Sequence, residues 1–246
     1  MIRACDVIRV GLCAFGVGCI GPDHTTPAAD ASISKVTCVP AVEGELQDVR
    51  DVPYAPYLVH HPAIADPNVQ TIMFLPGGSG SRGSAQFAWD TFLAGDPRVA
   101  NYRVLIPYSD SSDLIDQGPR AFNTLDAVLS CYGGDPARVH VAGFSNGGRM
   151  AFWFMLVRPD RFVTLVGAPG LFPPSTPAGQ TAALGNRPVL NGVGELDDEW
   201  RPSVKATHDA LVDAGANSIY VEFPGGRHRP SAAFDETVLF AFWASH

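Results

Sequence analysis

Ser145 stands in Gly143-Phe144-Ser145-Asn146-Gly147, a G-x-S-x-G pattern. A serine hydroxyl is a poor nucleophile until a base takes its proton. An imidazole base in turn works best when a carboxylate holds its far nitrogen. The sequence supplies both groups. Asp197 and Asp198 follow in Gly194-Glu195-Leu196-Asp197-Asp198, and His228 follows in Gly225-Gly226-Arg227-His228. Serine, then acid, then histidine is the chain order in which a strand–turn–helix scaffold can present such a set. Its chemistry is acyl transfer through a covalent serine intermediate. Other histidines fit less well. His60 and His61 precede the serine, His140 lies in the strand beside it and His208 lies inside a helix. His24 is in the leading segment and His246 ends the chain.

Of the two aspartates, Asp197 is the expected acid, because Gly194-Glu195-Leu196-Asp197 has the Gly, two residues, Asp spacing of such turns. Asp198 is the alternative, since Asp198 to Pro202 fits an Asp, three residues, Pro frame. Neighbouring side chains in an extended turn point in different directions, so only one can face His228. The negative charge that develops on the substrate oxygen needs two backbone donors. Asn146, directly after the serine, is expected to give one. Gly78, in Leu75-Pro76-Gly77-Gly78-Ser79-Gly80, is expected to give the other. Ser79 beside it and Trp200 near the acid are candidate substrate contacts. Packing at the core or rim is equally open for Trp200.

Elements of alternating type must position these groups. Short apolar runs read as strands at 56–60, 69–75, 102–107, 139–142, 162–167, 188–193 and 219–223. Helical spacing covers 87–94, 121–131, 146–157, 203–214 and 232–244. Alternation of this kind predicts βαβ units around a mostly parallel sheet. Each candidate then sits just past the C-terminal end of a strand, where such sheets build their sites. The irregular stretch 169–187 reads as a loop or small lid. Trp89, Trp153 and Trp243 read as core residues on helices.

Composition removes several classes. With 46% hydrophobic residues the chain can build a core, so it is not a disordered protein. Asp+Glu of 25 against Lys+Arg of 17 gives a formal charge of -8, and no basic face for nucleic acid is visible. No apolar run is long enough to span a bilayer. The five cysteines include no CxxC pair, so no thiolate metal site is expected and no metal is assigned. Asp110, Asp113 and Asp116 cluster in one loop. They read as a solvated acidic loop rather than a calcium site, because the Gly and Glu spacing of a calcium loop is missing.

Residues 1–31 read as a signal peptide, or a lipoprotein-like signal plus tether, ahead of a catalytic domain at 32–246. Arg3 and Arg9 precede an apolar stretch, Val10 to Ile20, and a segment of small residues follows. Gly18-Cys19 and Ala29-Asp30-Ala31 are competing cleavage points. The expected location is therefore secreted or lipid-anchored, outside the cytoplasm. In an oxidising compartment Cys38 and Cys131 are candidates for one disulfide, the alternative being two buried thiols.

The segment from Asp135 to Ala151, with Gly143-Phe144-Ser145-Asn146-Gly147-Gly148-Arg149-Met150 at its centre, resembles the nucleophile region of secreted α/β-hydrolase esterases. The resemblance is to the polyhydroxybutyrate depolymerase and feruloyl esterase type, and Arg158-Pro159-Asp160-Arg161-Phe162 is similar as well. Leu75-Pro76-Gly77-Gly78 departs from the His-Gly form of that type. It is closer to the Pro-Gly-aromatic turn of cutinase-like polyester hydrolases, with glycine in place of the ring. The resemblance implies a serine carboxylic-ester hydrolase of the α/β-hydrolase fold, forming an acyl-enzyme without a cofactor. The expected architecture is a mostly parallel central sheet flanked by helices, with no large cap domain. A monomer acting on small or polymeric esters is expected. The rivals are a peptidase or amidase on the same triad, and a non-catalytic binding module on the same fold.

Overall fold

The structure, a computed structural model, describes residues 36, 38–64, 66–172, 181, 184–230 and 234–246. Eight strands form one sheet. In chain order they are β1 (Leu46–Val49), β2 (Tyr57–His60), β3 (Thr71–Leu75), β4 (Arg103–Pro107), β5 (Val139–Gly143), β6 (Thr164–Gly167), β7 (Val189–Gly194) and β8 (Ser218–Phe223). Across the sheet they run 1-2-4-3-5-6-7-8. β2 is antiparallel to both β1 and β4, and the pairings from β4 through to β8 are parallel.

The main helices are α1 (Arg82–Phe92), α2 (Gly118–Tyr132), α3 (Asn146–Val157), α4 (Arg201–Asp213) and α5 (Thr237–Ala244). Successive strand residues face opposite layers, as the two-residue period requires. Met73, Leu75, Leu105 and Val141 pack with Leu125, Phe154 and Leu211 of α2, α3 and α4. Ile72, Phe74, Ile106 and Ala142 pack with Phe92, Leu239 and Trp243 of α1 and α5. The sheet from β2 to β7 is buried on both faces, which is why these strands read as continuous apolar runs. Trp243 is fully buried, while Trp89 and Trp153 are half-buried at the margins of the two cores.

Three elements depart from expectation. β1 has no apolar run. Its LQDV sequence pairs only with β2, as an edge strand that leaves Asp48 to solvent and ion pairs. α1 starts at Arg82 rather than Phe87, because the Ser81 hydroxyl accepts the Ser84 N–H at 3.3 Å and caps a Gly- and Ser-rich first turn. α5 starts at Thr237 rather than Ala232. Asp235 accepts the Thr237 N–H at 3.0 Å, and the Phe234 ring is drawn against Phe223 and Phe92 instead of joining the helix. Much of the expected lid, 173–180 and 182–183, lies outside the described residues, as do 1–35.

Cys38 and Cys131 are bonded, with their Cα atoms 5.3 Å apart. The bond ties the chain ahead of β1 to the last turn of α2. Among the described residues no helix is long and apolar enough to cross a membrane.

Candidate active site

Ser145 sits between the end of β5 and the first residue of α3, with φ 58° and ψ −120°. A side-chain-bearing residue in this region is strained by about 1–3 kcal/mol, so the surroundings must enforce it. Two glycines permit the necessary packing. A Cβ on Gly143 would collide with the Gly147 carbonyl, and one on Gly147 would collide with the Leu75 carbonyl. The Ser145 N–H is held by the Pro169 carbonyl at 2.9 Å.

The Ser145 Oγ lies 2.9 Å from His228 Nε2, and His228 Nδ1 lies 2.8 Å from Asp197 Oδ2. The other Asp197 oxygen accepts the Trp200 N–H at 3.3 Å. The Asp197 side chain is 3% exposed, whereas His228 is 38% exposed and open to the cleft. Asp198 points away. Its side chain is 88% exposed and reaches only Arg201, at 3.5 Å. Three loops, after β5, β7 and β8, therefore bring the serine, the Asp197 carboxylate and the imidazole into one line.

Burial keeps two of the other histidines neutral. It pushes His140 down to about 3 and His61 down to about 4, and His140 bonds Thr164 at 2.8 Å deep in the sheet. His208 bonds Ser218 at 2.8 Å on the far side of α4.

Asn146 and Gly78 meet beside the serine. The Asn146 side-chain amide donates to the Gly78 carbonyl at 3.1 Å, joining the β3 and β5 loops. Neither backbone N–H has an acceptor among the described residues, and Gly78 adopts φ 61°. A backbone N–H without an acceptor at a helix start, as at Asn146, suits an oxygen that gains negative charge. Ser79 is exposed and does not line the cleft; its carbonyl accepts the Leu114 N–H at 2.9 Å.

The cleft at Ser145 holds about 480 Å³, and its walls include Gly77, Ser84, Phe87, Phe144 and Arg229. Trp200 is 7% exposed and packs on the imidazole, with ring centroids 4.9 Å apart. Arg149 lies over the same indole at 4.6 Å, and the Phe144 ring lies 5.4 Å from His228. Trp200 thus braces the histidine and is absent from the cleft lining. Sequence reasoning did not single out Phe87, Ser84 or Arg229. Arg229 borders His228 in the chain, which was the available signal; Phe87 and Ser84 lie on a helix turn that composition hides. Asp110, Asp113 and Asp116 are exposed, and among the described residues no group of three His, Cys, Asp or Glu is set to hold a metal ion.

Solved structures share this architecture. A thermostable esterase superposes with a TM-score of 0.58 at 18% identity, over 75% of this chain and 55% of its own. This chain thus spans little more than half of that protein. An acetyl xylan esterase from Aspergillus awamori gives 0.59 at 14% identity, over 82% of this chain and 100% of its own. A poly(aspartic acid) hydrolase from Sphingomonas gives 0.58 at 13%, over 81% and 98%. At such identities the likeness defines the fold: this chain has the α/β-hydrolase fold, with no large cap among the described residues. No protein-family model and no curated protein matches its sequence.

Proposed function

We propose that the chain is a serine carboxylic-ester hydrolase of the polyhydroxybutyrate depolymerase and feruloyl esterase type, acting through an acyl-enzyme. The observation that carries the reading is the hydrogen-bonded line Ser145–His228–Asp197, at 2.9 and 2.8 Å. His228 Nε2 takes the Ser145 proton as Oγ attacks the ester carbonyl. Asp197 accepts from Nδ1–H, which fixes the tautomer and stabilises the imidazolium. The carbonyl oxygen, now negative, is received by the N–H groups of Asn146 and Gly78. Collapse breaks the ester C–O bond, and His228 returns its proton to the leaving alcohol. Water, activated by the same imidazole, then releases the acid. These residues need no cofactor for this sequence.

A cleft with no large cap among the described residues supports access for bulky or polymeric esters. The names of two fold neighbours, for acetyl xylan and poly(aspartic acid), fit a scaffold that can accept polymers. Export through residues 1–31, ahead of a catalytic domain at 32–246, belongs to the same proposal. The Cys38–Cys131 bond supports it, since such bonds persist in oxidising compartments.

The test is hydrolysis of p-nitrophenyl acetate and butyrate, with fluorophosphonate labelling of Ser145. Ser145→Ala should remain folded, lose the label and fall by about 10⁴ to 10⁶ in kcat. Wild-type turnover in that variant would overturn the reading. Faster cleavage of matched amides than of esters would replace it with a peptidase or amidase.

A further inference from the structure

Among the described residues, Arg229 is the one arginine, lysine or carboxylate side chain that lines the cleft at Ser145; the other walls are glycine, serine, phenylalanine and the His228 imidazole. Its position is defined from two sides. The guanidinium carbon lies 4.5 Å from the centroid of the Phe87 ring, itself a wall of the cleft. Pro230 follows directly and restricts the Arg229 backbone to extended conformations. A guanidinium stacked on an aromatic face keeps its N–H edge free to donate.

No carboxylate takes that edge among the described residues. Several acidic groups of the flanking loops have partners elsewhere, Asp197 on His228 at 2.8 Å among them. Glu195 accepts the Gly225 N–H at 2.8 Å, Asp235 accepts from Thr237, and Asp198 reaches Arg201. Ser81 and Ser84 line the same cleft, with their hydroxyls 3.2 Å apart, and add neutral hydrogen-bonding groups. In a chain of formal charge -8, an arginine with no ion pair among the described residues puts a positive charge beside Ser145.

We infer that Arg229 binds a carboxylate on the substrate, so that the preferred esters carry a free carboxylate within reach of the scissile bond. The inference rests on the serine-hydrolase reading of this cleft and names its substrate class. Half-esters of dicarboxylic acids have the group on the acyl side. The acid terminus of a hydroxyacid polyester has it on the alcohol side. A guanidinium–carboxylate pair is planar and bidentate, so it orients the substrate as well as attracting it. Hydrogen bonds to charged groups change affinity by about 10- to 100-fold, and an exposed arginine belongs at the lower end.

Two matched pairs of esters test this. Mono-p-nitrophenyl adipate against p-nitrophenyl hexanoate reads the acyl side. 4-Acetoxybenzoate against its methyl ester reads the alcohol side. In at least one pair, the anionic-to-neutral ratio of kcat/KM should fall about tenfold in Arg229→Gln, and Arg229→Lys should keep part of it. High salt should lower the wild-type ratio as well. Unchanged ratios in both pairs would overturn the inference while leaving the esterase reading intact. If no ester is cleaved, calorimetric binding of monomethyl adipate decides. Binding that weakens about tenfold in Arg229→Gln upholds the carboxylate site without the esterase; binding indifferent to Arg229 overturns it.

Discussion

Asp197 and Asp198 are adjacent in the chain and opposite in environment. Asp197 is 3% exposed, with one oxygen on His228 and the other on the Trp200 N–H, whereas Asp198 is 88% exposed. Asp197→Asn should therefore lose about 10⁴ in kcat, because an amide in that place favours the wrong imidazole tautomer. Asp198→Asn removes only a long, solvent-screened contact to Arg201, so its kcat and stability should stay close to wild type. Steady-state kinetics on the two variants check this. A crippled Asp198→Asn beside an active Asp197→Asn would reverse the assignment.

At the scale of elements, the turn between β5 and α3 holds Ser145 by backbone contact. The β3 loop passes so close that a side chain at position 147 would meet the Leu75 carbonyl. Gly147→Ala should thus displace either the β3 end, which carries Gly78, or the serine itself. Overpacking against backbone cannot be relieved by a rotamer change, so a loss of about 3 kcal/mol, the upper end of the usual overpacking range, is expected. Urea unfolding measures it, and a midpoint equal to wild type would show that the contact is looser than described. α1 works in the opposite sense. Its capped first turn carries Ser84 into the cleft, and the same helix brings Phe87 under Arg229.

For the whole molecule, the Cys38–Cys131 bond closes a loop with a sequence separation of 93. In the loop-entropy model such a bond contributes up to about 4.5 kcal/mol, less where the reduced chain keeps structure. Replacing both cysteines with serine should lower Tm by up to about 9–18 °C, since 1 kcal/mol shifts a domain of this size by about 2–4 °C. An unchanged Tm in thermal melts would argue against a stabilising bond.

Acid should also weaken the fold. His140 and His61 are buried and held at about 3 and about 4, against an ordinary value of 6.5. Above pH 6.5 both states carry neutral imidazoles and stability is full. As pH falls below 6.5 the unfolded chain gains protons that the folded chain refuses. Stability then drops toward pH 4 and 3, at a limiting slope of about 1.4 kcal/mol per pH unit per histidine. Urea midpoints at pH 7.5, 6 and 5 should decline, and His140→Gln should flatten the decline. Equal midpoints across that range would refute it.

The amino-acid sequence by itself determined the alternation of strands and helices, because strands buried on both faces must be apolar throughout. It also marked Ser145, His228 and a two-residue choice of acid, because G-x-S-x-G and the chain order of the loops are local patterns. Edge strand β1 and the first turn of α1 were not legible. The one is half polar at the sheet margin, and the other is stabilised by a single cap. The spacing after Gly194 favoured Asp197; its contact with His228 and the exposure of Asp198 depend on how the β7 and β8 loops pack. Likewise only packing across α1, α3 and the β8 loop placed Trp200 on the imidazole and Arg229 over Phe87. Contacts between residues far apart in the chain leave no periodic trace in it.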